Sequence, residues 1–121
     1  MIAEDNLINQ KLATRLLEKR GYTVTIANNG QELINLLDKE PADLILMDVQ
    51  MPVMDGFEAT AAIRAKEQVT GTHIPIVAMT AHAMKGDSDR CLAAGMDRYI
   101  SKPVQPKELF DVIEGMVSGG R

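Results

Sequence analysis

The chain reads as an α/β protein, a doubly wound five-stranded parallel sheet with helices on both faces. Three observations predict it. Short apolar runs alternate with helical repeats five times along 121 residues, the pattern of parallel strands joined by right-handed crossovers. The second and fifth runs are half polar and the others nearly all apolar, as expected of the edges and interior of such a sheet. Polar residues that can do chemistry follow four of the runs, at the carboxyl ends where open α/β sheets hold ligands.

Met1-Ile2-Ala3 is the tail of an apolar strand, followed at once by Glu4-Asp5-Asn6. Only three residues precede the acids, so this first strand is read as truncated. Leu7 to Arg20 is a helix, with Ile8, Leu12 and Leu16 recurring at a spacing of four and Leu17 widening the stripe. Asn6 caps it and Gly21 stops it. Tyr22 to Ala27 alternates, Val24 and Ile26 on one face and Thr23 and Thr25 on the other, which predicts an edge strand. After the turn Asn28-Asn29-Gly30, the apolar residues Leu33, Ile34, Leu36 and Leu37 define a second helix that ends before Pro41. Leu44 to Met47 is a buried strand bearing Asp48 at its end.

Asp55 and Gly56 form the turn and cap of a third helix, Phe57 to about Gln68, which Gly71 breaks. Ile74 to Met79 is the fourth strand, with Pro75 near its start, where a missing donor is tolerated. Ala81 to Ala94 is a fourth helix whose pattern Gly86-Asp87-Ser88-Asp89 weakens. Arg98 to Ser101 is a partly polar second edge, followed by Lys102-Pro103. The last helix has Pro106 in its first turn and Leu109, Val112, Ile113 and Met116 on its apolar side. Gly119-Gly120-Arg121 reads as a cut linker. With the half-polar strands at the edges the order is 2-1-3-4-5, and the switch point falls between strands one and three, beside Asp5 and Asp48.

Composition narrows the function classes. A net charge of -4 argues against a nucleic-acid footprint. One cysteine, Cys91, excludes an internal disulfide and fits a reducing compartment. No apolar run is long enough to span a bilayer and no signal peptide is visible, so a cytoplasmic module is expected. Residues 1–121 are read as one domain, excised from a longer chain.

Glu4-Asp5, Asp48, Thr80 and Lys102 meet at the strand ends. Three carboxylates brought together repel unless protonated or bridged by a cation. All-oxygen ligation with room for water and phosphate suits Mg²⁺. A carboxylate held beside such a cation can attack a phosphoryl group, with Lys102 clamping one phosphoryl oxygen and Thr80 donating to another. Taken alone, each residue has a plainer reading: Asp48 as a helix cap, Lys102 as a solvated lysine, Thr80 as a strand-end hydroxyl bonding backbone. His73 and Cys91 are read as structural.

These motifs, Glu4-Asp5, Asp48-Val-Gln-Met-Pro-Val-Met-Asp-Gly56, Thr80-Ala81 and Ser101-Lys102-Pro103, resemble the receiver domain of two-component response regulators over essentially the whole chain. The stretches from Glu4 to Gln10, Thr80 to Met84 and Ala94 to Asp97 are most similar to receivers of hybrid sensor histidine kinases. The resemblance implies a flavodoxin-like fold. Its 2-1-3-4-5 order is that of the family's chemotaxis member, so order and resemblance are not independent. It further implies that Asp48 takes phosphate from a phosphohistidine on a histidine kinase or histidine phosphotransfer domain. Asp5 and Asp48 would hold Mg²⁺ directly, Glu4 through water, and the backbone carbonyl of Gln50 would complete the set. Thr80 and Lys102 would contact the phosphoryl group, Pro103 would follow a cis peptide bond, and Tyr99 would turn inward as Thr80 moves, changing the surface of the fourth helix, fifth strand and fifth helix. Gln50 and His82 occupy positions that tune dephosphorylation in the family.

The activity so implied is self-catalysed aspartyl phosphorylation and dephosphorylation, not that of a conventional enzyme. A fused kinase or output domain is a possible partner, and neither nucleic acid nor membrane is expected to bind. Two other readings stand beside it. An aspartyl-phosphate phosphatase would need a second acid two residues after the nucleophile, where this chain has Gln50. A binding-only pseudo-receiver would lack a key residue, and none is missing.

Overall fold

The structure, a computed structural model, describes residues 1–40, 42–51, 53–80, 85–102 and 104–119, with backbone alone at 85–88 and 116–119. Pro103, with its expected cis bond, lies outside the described residues, as do His82 and the side chain of Met116. Strands and helices alternate: β1 (Ile2–Ala3), α1 (Leu7–Lys19), β2 (Ile26–Ala27), α2 (Gly30–Lys39), β3 (Ile45–Asp48), α3 (Gly56–Thr70), β4 (Ile76–Thr80), α4 (Lys85–Ala93), β5 (Arg98–Ser101) and α5 (Pro106–Gly119). All strand pairs are parallel, in the order β2-β1-β3-β4-β5. This is the five-stranded flavodoxin-like order that the half-polar edges predict.

Successive residues of a strand face opposite sides of the sheet, so each interior strand feeds two cores. Ile45, Met47, Ile76 and Ala78 pack with Leu33, Ala59, Ile63 and Cys91 on the α2, α3 and α4 side. Leu46, Val77, Met79 and Ile100 pack with Ala13, Leu17, Leu109 and Ile113 on the α1 and α5 side. Ile45, Leu46, Met47, Ile76, Val77 and Ala78 are all fully buried. That accounts for their unbroken apolar runs.

β1 has only two residues, yet it pairs with both β2 and β3. Its ladder is extended by Ile2 N–H donating to Thr25 O at 2.9 Å, Glu4 N–H to Ala27 O at 3.0 Å and Leu46 N–H to Met1 O at 2.9 Å. Asp5 therefore follows a well-tied strand, short as it is.

Two expectations are corrected. The second strand is confined to Ile26–Ala27 because β1, its only partner, is itself two residues long. Its sides also differ: Ile26 is 36% exposed, whereas Ala27 is fully buried. In α1 the predicted stripe of Ile8, Leu12 and Leu16, widened by Leu17, holds only in its second half, where Leu16 and Leu17 pack on the core. Ile8 is 77% exposed and Leu12 37%, while Gln10, Ala13 and Leu17 are buried. The helix is phased by a polar anchor, for the amide Nε2 of Gln10 donates to the carbonyl of Glu4 and, at 2.9 Å, to Asn28 Oδ1. The described part of the fourth helix spans Lys85–Ala93, and its expected start at Ala81 lies outside the described residues. Among the described residues no helix is long and apolar enough to cross a membrane.

Candidate functional site

The carboxyl ends of β1, β3 and β4 and the turn after β5 open into one cleft of about 660 Å³, lined by Asp5, Asp48, Gln50, Thr80 and Lys102 among others. The sheet register brings them there. Asp48 pairs with Met79 and Thr80 with Ser101, so Asp48, Thr80 and Lys102 arrive on neighbouring strand ends. Lys102 is tied further by its N–H to Thr80 O at 2.8 Å.

The turn from β3 to α3 places Asp48 by backbone fit. Gly56 opens α3 against the end of β3, its N–H donating to Val49 O at 3.2 Å. A Cβ at Gly56 would run into the carbonyl oxygen of Asp48 and the Cα of Val49, so this position accepts only glycine. Asp55 caps the helix in a capping box with Glu58, accepting from Glu58 N–H at 2.8 Å. In the same turn Val53 sits at φ 68° and is 82% exposed, an unfavourable backbone for a β-branched residue.

Asp48 is 2% exposed. Its Oδ1 accepts from Gln50 N–H at 3.1 Å and its Oδ2 lies 2.9 Å from Lys102 Nζ. The same ammonium is 3.1 Å from Glu4 Oε1. Glu4 is fully buried, and apart from that ion pair its carboxylate oxygens find no hydrogen bond among the described residues. Burial, with the neighbouring Asp48 carboxylate adding to it and Lys102 opposing it, raises the Glu4 carboxyl to about 7. Burial works against the charged form of Lys102, but Asp48 and Glu4 outweigh it and its affinity for the proton is raised.

Glu4, Asp5 and Asp48 each offer a ligand oxygen, and these oxygens lie within 4.8 Å of one another. Glu4 Oε2, buried and without a hydrogen bond among the described residues, is what a cation would satisfy, and an all-carboxylate donor set fits a hard divalent ion. Among the residues expected at the site, Glu4, Asp5, Asp48, Gln50, Thr80 and Lys102 converge. Tyr99 lies on β5, 40% exposed, and is not among the residues lining the cleft. Phe57 and Arg90 are among the cleft residues that escaped sequence reasoning. They lie 33 positions apart, and no local repeat links them. Nor was the role of Gln10 legible, since an amide between Asn9 and Lys11 reads as one more solvated polar residue.

A family model described as the response regulator receiver domain matches residues 1–114. The chain is 48% identical over 122 residues to hybrid signal transduction histidine kinase I of Dictyostelium discoideum, a match covering 97% of this chain and 7% of that kinase. Among solved structures it resembles the receiver domain of a sensor histidine kinase from Pseudomonas aeruginosa, which has a magnesium ion coordinated in its active-site cleft. That likeness has a TM-score of 0.87 and 38% identity, covering 97% of this chain and 94% of the other. It also resembles the receiver domain of a Saccharomyces cerevisiae response regulator co-crystallised with a histidine phosphotransfer signalling protein, with a TM-score of 0.86 and 36% identity over 93% of this chain and 83% of that one.

Proposed function

Because the chain belongs to the response regulator receiver domain family, we propose that it is a phosphoryl-accepting switch in which Asp48 takes phosphate from a phosphohistidine. The observation that carries this reading is the position of Asp48: a buried carboxylate at a strand end, with one oxygen against Lys102 and a second acid pair alongside. Asp5 and Asp48, with Glu4 behind them and the carbonyl of Gln50, would hold Mg²⁺. When bound, the ion offsets charge on the carboxylates and on the incoming phosphoryl oxygens.

The chain's own residues supply the rest. Gln50 N–H holds one oxygen of Asp48 and so orients the other for attack. A carboxylate oxygen of Asp48 forms the new O–P bond as the P–N bond to the donor imidazole breaks and the imidazole departs. Lys102 moves from a carboxylate partner to a phosphoryl oxygen, and Thr80 donates its hydroxyl to another. Hydrolysis of the acyl phosphate in the same cleft returns Asp48. The reaction is self-catalysed and stoichiometric, as suits a signalling module.

The partner is a histidine kinase or histidine phosphotransfer domain. Supporting this, Leu7, Ile8 and Leu12 are exposed on α1 next to Asn6 and Asn9, which line the cleft, so apolar surface adjoins the phosphoacceptor. The complex of the similar yeast receiver with a phosphotransfer protein supports the same choice. On the output side, Thr80 is drawn toward the phosphoryl group and half-exposed Tyr99 turns inward, altering the α4, β5 and α5 face. The chain is one module of a larger signalling protein, the small share of the Dictyostelium kinase that it spans being the support. Its single cysteine, the buried Cys91, accords with a cytoplasmic location.

Incubation with Mg²⁺ and a small acyl phosphate should add one labile phosphate, read by intact mass. Asp48→Asn should remove it. Equal phosphorylation of the Asp48→Asn variant would overturn the assignment.

A further inference from the structure

We propose that Arg90 is a second cation of the phosphoacceptor cleft, a positioning residue held on the ring of Phe57 so that its charge draws anionic phosphodonors in. The proposal rests on the phosphoacceptor reading above and adds to it a residue from α4.

Phe57 stands in the first turn of α3, directly after the glycine that abuts Asp48 and Val49. Its ring packs on the core between sheet and helices, so its place relative to Asp48 is fixed. The guanidinium carbon of Arg90 lies 4.8 Å from the centre of that ring, and both side chains line the cleft that holds Asp48, Thr80 and Lys102. Arg90 is thereby anchored from across the cleft mouth.

The choice of anchor matters. A carboxylate partner would hold an arginine and also cancel its charge, whereas an aromatic face holds it and leaves the charge intact. Among the described residues Arg90 makes no ion pair, and it is exposed. Lys102 differs, being engaged by both Asp48 and Glu4. With Glu4, Asp5, Asp48 and Asp55 in or beneath the cleft, the wall is acidic and repels a phosphate dianion. Among the described residues lining the cleft, Arg90 is the cation left to offset that repulsion before the donor reaches Lys102. One charge acting on a dianion about 8 Å away through water is worth about fivefold in rate at low salt.

The test uses the full chain with Mg²⁺ and acetyl phosphate, following phosphorylation at low salt and at about 1 M salt, where the screening length falls to about 3 Å. Arg90→Met keeps the reach and the contact with Phe57 but removes the charge. It should slow phosphorylation about fivefold at low salt, with the gap closing at high salt. Arg90→Lys should restore most of the rate. Phe57→Leu, which frees the guanidinium, should fall between wild type and Arg90→Met. A rate for Arg90→Met equal to wild type at low salt would overturn the proposal, as would a deficit that persists at high salt, the mark of a structural role. If the wild-type chain takes no phosphate, both this inference and the phosphoacceptor reading fall; phosphorylation with no Arg90 effect removes this inference alone.

Discussion

The ammonium of Lys102 lies between two buried carboxylates, 2.9 Å from Asp48 Oδ2 and 3.1 Å from Glu4 Oε1. Neither acid is more than 2% exposed, so the lysine is what permits them to stand side by side. It balances charge at rest and, in the proposed reaction, would contact a phosphoryl oxygen. Lys102→Met should leave a folded domain in which phosphorylation of Asp48 is slowed on the order of 100-fold, the usual loss for one charge-stabilising donor. A time course of intact mass against acyl phosphate, with circular dichroism to verify folding, measures it.

Glu4 gives the cleft a pH dependence with a defined sign. Its carboxyl is raised from 4.5 to about 7 by burial and by Asp48, so between those values the native chain binds more protons than the unfolded chain. Stability of the metal-free domain should therefore fall as pH rises through that window and level off above it. Divalent binding should run the opposite way, because an ionised Glu4 is the form that helps hold the ion. Apparent Mg²⁺ affinity should rise with pH toward 7 by at most about tenfold per pH unit for one proton released, then flatten. Glu4→Gln should bind more weakly with a flatter profile. Calorimetric titration of Mg²⁺ across this range checks both statements.

Gly56 is required by its neighbours, since a Cβ there meets backbone of the strand that carries Asp48. Gly56→Ala must push α3 away from β3 or displace the nucleophile. Denaturant unfolding should show a loss of about 1–3 kcal/mol, the cost of forcing atoms into a packed contact. Phosphorylation should slow as well, even where the variant is fully folded.

Val53 has a φ of 68° and is 82% exposed, so it gains little packing in return for an unfavourable backbone. Asparagine tolerates this region of φ and ψ better. Val53→Asn should raise stability by about 1 kcal/mol in the same unfolding assay. Its phosphorylation by acetyl phosphate should match wild type, because the side chain points away from the chemistry into solvent.

Much of this arrangement could be read from the residues in order. The half-polar runs Tyr22 to Ala27 and Arg98 to Ser101 belong at sheet edges, which places the outer strands, and the family resemblance supplies the order of those between. Asp48, Thr80 and Lys102 converge because residues directly after parallel strands share one end of the sheet. The phase of α1 was not legible. Ile8 and Leu12 have the spacing of a core stripe, but the hydrogen bonds of Gln10 to Glu4 and Asn28 turn that stripe outward, and such an anchor has no periodicity. The same limit hid the opposite end of the sheet. There Arg64 joins Glu67, Asp97 and the carbonyls of Ile74 and Gly95, while Asp97 also binds His73 at 2.7 Å and Ile76 N–H at 2.8 Å. Arg64 and Asp97 stand 33 residues apart, and only the fold brings them together.

The central claim is that Asp48 and its neighbours form one Mg²⁺-dependent phosphoryl site linked to β5. Residue-by-residue NMR with Mg²⁺ and a beryllium fluoride phosphoryl analogue addresses it most directly. The expected result is a set of Mg²⁺-dependent shifts at Asp48, Gln50, Thr80 and Lys102 that extends to Tyr99 and is lost in Asp48→Asn. Shifts confined elsewhere, or unchanged by the Asp48→Asn substitution, would contradict it.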